Sequence, residues 1–287
     1  MANQNNTMSN DGIIRKGDYL PMGKKTVLGI QHVFTMFGAT VLVPLLTGLD
    51  VSVALFGAGV GTLIFHLTTQ GKVPAFLGSS FAFIPVIITV GMMGGAAEGS
   101  PEYIANLQYA QGGLVIAGIV YIVLSLIIKL IGLEAILSLF PPIVTGPIIM
   151  VIGLNLAPTA VDMASGHWPL AIICLLAVTV INIYFKGFFK VLPVLGGLVV
   201  GYLVSIALQM VDFNVIKEAK WVAVPAFTMA KFNVQAISII APAAIVTVVE
   251  HIGDVLAISA TVEEDFTMDP GLHRTLLGDG IATSVAG

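Results

Sequence analysis

The chain has 287 residues, 57% of them hydrophobic and only 10% charged, with a mean hydropathy of +0.99. A soluble domain carries about 25% charged residues, so a soluble globule is excluded, and a disordered chain fails on the same figures because it needs low hydrophobicity and high charge. A net charge of −4 leaves no basic footprint for nucleic acid, and the lone Cys174 excludes a disulfide scaffold and a cysteine-based metal cluster.

About 20 apolar residues cross a bilayer as a helix. A polar arm over residues 1–25, holding Arg15, Lys16, Lys24 and Lys25, precedes the first span-length run. This order reads as a retained first helix and not as a cleaved signal. Spans are predicted at Thr26–Leu49, with only His32 as a titratable group, and at Val51–Thr69, with only His66. Val73–Val90 is apolar but punctuated by Pro74, Gly78, Ser79, Ser80 and Pro85. Further spans follow at Leu114–Ile131, Ile136–Leu156, Pro169–Phe185, Val191–Val211 and Ala236–Val262, and Leu272–Gly287 begins another. Threading them alternately, with the broken stretch as one crossing, gathers nine of the twelve basic residues on one side: the four of the arm, Lys72, Lys129, Lys186, Lys190 and Arg274. Lys217, Lys220 and Lys231 fall on the other side, with Asp50, Glu98, Glu102, Asp162 and Asp212. The basic excess marks the cytoplasmic face, so a cytoplasmic N-terminus is expected.

Two strings recur in order. Gln31-His32-Val33 is echoed by Glu250-His251-Ile252 at an offset of 219, and Phe56–Thr62 is echoed by Leu277–Thr283 at an offset of 221. Small residues recur in any glycine-rich membrane helix, but two ordered matches favour a two-repeat transporter. Seven spans between Thr26 and Val211 would invert the second repeat. The native protein is then expected to run on for roughly 150 residues more, as a second repeat requires.

Glu250 and Asp254 lie four residues apart, hence on one helical face. Each costs about 2.5–3.5 kcal/mol at mid-membrane, and the local sequence offers no Lys or Arg to neutralise them. Buried acids of this kind titrate, hold a ligand, or share a proton as structural glue. His251 points about 100° away from Glu250 and reads as a packing or interhelical hydrogen-bond residue. In the broken stretch, Gly, Ser and Pro cannot sustain a lipid-facing helix, and irregular backbone at that depth must be buried or line a cavity. A short extended segment followed by a half-helix from Ile84-Pro85 fits, since Pro suits a first turn. Freed amides near Phe81 could donate to a polar ligand, and its ring offers a stacking face; a kinked structural helix is the other reading. His32 is a lone histidine in an uncharged span, where a structural role outweighs a site role. Asp279 leaves exposure and function equally open. No nucleotide loop, metal-ligand spacing or nucleophile elbow occurs, so no enzyme, cofactor or metal is expected.

The strings Phe37–Pro44, Gly59–Thr62, Lys72–Phe83 (with Gly78-Ser79-Ser80-Phe81-Ala82-Phe83), Pro141-Pro142, Ile152–Leu154, Glu250–Gly253 and Asp269–Arg274 resemble the nucleobase–ascorbate transporter family, most closely its bacterial uracil permeases. The resemblance covers nearly the whole chain from Lys24 on. It implies an all-α polytopic membrane protein with fourteen spans in two inverted seven-span repeats, split into core and gate domains. A short strand is implied in the discontinuous third span. This chain would hold an arm (1–25), core spans 1–4 (26–131), gate spans 5–7 (132–211), an extracytoplasmic loop (212–235), and core span 8 with the start of span 9 (236–287). The second strand of the site is expected after Gly287.

By the same resemblance Glu250 accepts the N–H groups of the base, the Phe81 amide donates to a base carbonyl, and Ala39 lines the pocket beside Ser80. Where some uracil permeases carry a proton-coupling His, this chain has Asp254, which can still titrate; Glu250 and His32 complete the candidate coupling set. The resulting expectation is a proton-coupled uracil symporter of a bacterial inner membrane, working by alternating access, with a homodimer among the assemblies allowed. Xanthine or another purine and Na⁺ coupling are the alternatives within the family. A seven-plus-seven anion transporter, which would not want a central acid, and a membrane enzyme or scaffold are the alternatives outside it.

Overall fold

The computed structural model describes residues 21–132, 142–186, 192–214, 217, 220 and 222–287. The arm expected over 1–25 and the start expected for the Ile136 span lie largely outside them.

The described residues are helical, joined by extended segments. α1 (Met22–Thr47) and α2 (Val51–Thr68) form an antiparallel pair, with Gly48 in the left-handed conformation that ends α1 and Asp50 capping α2 through the Val53 amide. Residues 74–80 are extended; a short helical turn at Phe81–Phe83 then leads into α3 (Ile84–Gly91). α4 (Pro101–Ile131), α5 (Pro142–Ser165), α6 (Trp168–Tyr184) and α7 (Pro193–Ala207) follow, then α8 (Val234–Val262) and α9 (Leu272–Ala286). Among the described residues five helices are long and apolar enough to cross a membrane.

The broken third element forms as the punctuation predicts. α3 has eight residues, about 12 Å at 1.5 Å per residue, less than half of a hydrocarbon core of about 30 Å. Its start coincides with Pro85 in the first turn, where the missing amide costs nothing. The strand implied for this segment is not formed among the described residues, because a strand needs a ladder partner and side chains meet its backbone instead. The Leu77 amide donates to Thr62 Oγ1 at 3.0 Å. The Ser79 hydroxyl donates to the Thr40 carbonyl at 3.3 Å. That carbonyl is the one Pro44 cannot serve, having no N–H to complete the helical bond.

Two boundaries differ from expectation. α4 starts thirteen residues before Leu114, capped by Ser100 with Pro101 in its first turn. Hydropathy misses this part because Glu102, Asn106, Gln108 and Gln111 are polar, yet tertiary contacts hold it. Tyr103 is buried and donates to the Thr47 carbonyl at 3.0 Å, and Asn106 Nδ2 donates to the Gly91 and Met93 carbonyls at 3.0 and 2.9 Å. Asn106 thus closes the free end of the half-helix. α5 begins at Pro142 and runs to Ser165, nine residues beyond the expected Leu156.

α9 lies in a groove between α2 and α4, lined by small residues that let backbones approach. A Cβ on Gly118 would sit 2.5 Å from the Gly280 carbonyl, and one on Gly280 would sit 2.8 Å from the Gly118 carbonyl. Against α2 the contacts run antiparallel: Gly57 faces Ala286, Gly61 faces Ala282, and Phe65 faces Gly278. α8 packs along α4, with Ile240 over Gly113. Phe65, Val73, Ile87, Tyr103, Ile240, Ile252 and Leu276 fill the buried core of this α1–α4, α8, α9 group. α6 and α7 form a hairpin in which Gly197 and Gly201 face Val178 and Cys174. Their outward Leu175, Leu176, Ile183 and Leu203 are exposed, as lipid-facing residues are.

Candidate functional site

Three elements converge where α3 is broken. α8 brings Glu250 and Asp254 on one face, the extended segment brings Ser79 and Ser80, and α9 brings Asp279. They line a cavity of about 510 Å³ whose other walls are mostly apolar, Ala39 of α1 and Tyr121 of α4 among them. The volume falls in the range of small-molecule pockets. Glu250 is half-buried, and Ser80 Oγ lies 3.5 Å from its Oε2. Ser80 can donate to this carboxylate and leave its other lone pairs for a ligand's N–H groups.

The residues expected at the site separate into three places. Glu250, Asp254, Ser80 and Ala39 share the cavity just described. Phe81 lines a second cavity of about 440 Å³, between the start of α3, Ala243 and Val246 of α8, and Ile148, Ile152 and Asn155 of α5. His32 lies outside both, exposed on α1, with its ring edge-on to Phe76 at a centroid distance of 6.0 Å.

His251 is buried, and its ring bridges to α9: Nδ1 lies 2.8 Å from Asp279 Oδ2, and Nε2 lies 3.0 Å from Thr275 Oγ1. It is therefore an interhelical hydrogen-bond residue. Asp279, undecided on sequence, faces the cavity as its third carboxylate. Its signal was available: Thr275, Asp279 and Thr283 recur every four residues and form one polar stripe on a helix. Tyr121 and Thr247 also line the cavity, and their part depends on how α4 and α8 pack. Among the described residues no group of three His, Cys, Asp or Glu is disposed to hold a metal ion.

Span-length apolar helices among the described residues, around a cavity with carboxylates at a helix break, fit a multi-pass membrane protein. The Permease family profile matches residues 23–287, and the chain belongs to that family, the nucleobase–ascorbate transporters. It is 42% identical over 280 residues to the uracil permease of Bacillus caldolyticus, covering 92% of this chain and 62% of the relative. It is 39% identical over 291 residues to the uracil permease of Paenibacillus larvae, covering 96% and 66%. With the uracil permease of Escherichia coli (strain K12) the identity is 37% over 278 residues, covering 93% and 62%. The chain thus spans just under two thirds of the length of these relatives, all of which are named as permeases and none as an enzyme.

Proposed function

We propose that the chain forms the first repeat and the opening of the second of a proton-coupled uracil symporter working by alternating access in a bacterial inner membrane. The observation that carries this reading is Glu250, a half-buried carboxylate on a mostly apolar cavity, beside Ser80 where the third element is broken. Uracil is planar and neutral. Its two N–H groups match a carboxylate acceptor, and its two carbonyls match amides of a helical first turn, which have no intrahelical partner. A site built of such pairs rejects analogues that leave a buried group unpaired. Uracil permeases at 37–42% identity support the same substrate.

In this reading Glu250 accepts from the base, Ser80 steadies the carboxylate, and Ala39 keeps α1 from crowding it. The Phe81 amide donates from the side where the core, α1–α4 with α8 and α9, meets the gate helices α5–α7. Asp254, one turn beyond Glu250, carries the coupled proton; His32, outside both cavities, is the weakest member of the coupling set. The inverted repeat gains support from the α2–α9 contact. The offset of 221 carries Gly57 to Gly278, Gly61 to Ala282 and Phe65 to Ala286. The three contacts then map onto one another, as contacts about a two-fold axis do.

Uptake of radiolabelled uracil by cells expressing the full-length protein tests the reading. Saturable uptake that xanthine does not compete and that a protonophore abolishes is the expected result. Uptake that ignores the protonophore and follows Na⁺ overturns proton coupling. Equal competition by xanthine overturns the choice of uracil.

A further inference from the structure

The two ring nitrogens of His251 both face oxygen, and the bonding of one of those oxygens bears on the proton count. Thr275 Oγ1 lies 3.0 Å from His251 Nε2 and also donates to the Leu272 carbonyl at 3.0 Å. A hydroxyl has one proton, and a carbonyl can only accept. With that proton on Leu272, the oxygen facing Nε2 is an acceptor, so Nε2 carries a hydrogen. Nδ1 faces the Asp279 carboxylate at 2.8 Å, a second acceptor. A neutral imidazole supplies one N–H, and two acceptors call for two.

We infer that His251 is an imidazolium ion-paired with Asp279 inside the bundle, and that it is the internal cation of the carboxylate cluster Glu250, Asp254 and Asp279. The charged and titratable groups facing the pair are Glu250 and Asp254 from α8 itself and Tyr121 from α4, whose ring stands edge-on to the imidazole with centroids 6.2 Å apart. No Lys or Arg among the described residues lines this cavity. The cation that the flanking sequence withheld from the acids is the residue next to Glu250.

The pair has two effects. It neutralises Asp279, which leaves Glu250 and Asp254 as the carboxylates available to substrate and proton. It also bolts α8 to α9 at both ring nitrogens, which fixes the rotation of α8 and aims Glu250, about 100° further round, into the cavity. His251 is therefore a positioning residue for Glu250. That role rests on the nucleobase reading above; the charge state does not.

Solid-state NMR of the full-length protein in lipid vesicles, with ¹⁵N-labelled histidine rings, tests the charge state at neutral pH. The His251 signals are those missing from His251→Asn or, should that variant fail to fold, from the His251→Asn/Asp279→Asn double variant. Two protonated ring nitrogens are expected. One protonated and one bare nitrogen overturns the ion pair. Uracil binding tests the role. Each single variant strands a charge and should weaken binding about ten-fold or more, the loss expected of a charged hydrogen bond left unmade, whereas the double variant, two amides face to face, should recover most of it. A double variant no better than the worse single overturns positioning by this pair. Wild-type protein that binds no uracil overturns the nucleobase reading and leaves the nitrogen result standing.

Discussion

Glu250 and Asp254 share a helix face, yet among the described residues a hydroxyl, that of Ser80, lies beside Glu250 alone, and the proposed division of binding from coupling rests on this difference. A hydrogen bond to a charged group is worth about 1.5–3 kcal/mol. Glu250→Gln should therefore weaken uracil binding by roughly ten-fold to a hundred-fold in an equilibrium binding assay on the full-length protein. Asp254→Asn should leave binding within a few-fold of wild type and abolish accumulation against a gradient, because the amide cannot take the proton. Equal loss of binding in both variants would sink this division of labour. The two acids were legible in the sequence because the rest of their apolar run holds no Asp, Glu, Lys or Arg. Asp279 and the partners of His251 were not, because their roles depend on which faces α4, α8 and α9 turn to each other.

At the scale of elements, glycines two residues apart in the same helix have different jobs. Gly57 and Gly61 of α2 face Ala286 and Ala282, whereas a Cβ on Gly59 would meet nothing within 4 Å. Gly118 of α4 is packed against the backbone of Gly280 and Ser284. Overpacking a tight contact costs about 1–3 kcal/mol, so Gly118→Val should lower the thermal midpoint of the purified protein clearly, and Gly59→Ala should leave it unchanged or raise it slightly. A silent Gly118→Val would show that the α4–α9 contact is looser than described. The break in the third element was readable from Pro, Gly and Ser alone. The start of α4 was not, because hydropathy records what lipid would touch, and Tyr103 and Asn106 are held by protein.

For the whole molecule, charge sorting and geometry agree on which ends lie together. Lys72 after α2 pairs with Asp269 before α9, at the same end as the close of α4, while Asp50 and the strap before α8 lie at the other. A cytoplasmic N-terminus predicts that an impermeant thiol reagent on intact cells labels Met229→Cys and spares Met268→Cys in a Cys174→Ser background; both positions are exposed. The reverse pattern would turn the molecule over.

The strap over 222–233 carries one more implication. Its Lys231 amide donates to the Gln108 carbonyl at 2.9 Å, Thr228 donates to Gln111 at 3.0 Å, Phe227 stands edge-on to Phe56, and Gly112 leaves room for the chain to pass. α8 is thus stapled to α2 and α4 before it enters the bundle, and it does not hang from α7. The covalent link between Ala207 and Val222 is then dispensable for docking. A gene divided there, with its two products made in the same cell, should yield halves that find each other and co-purify as one particle.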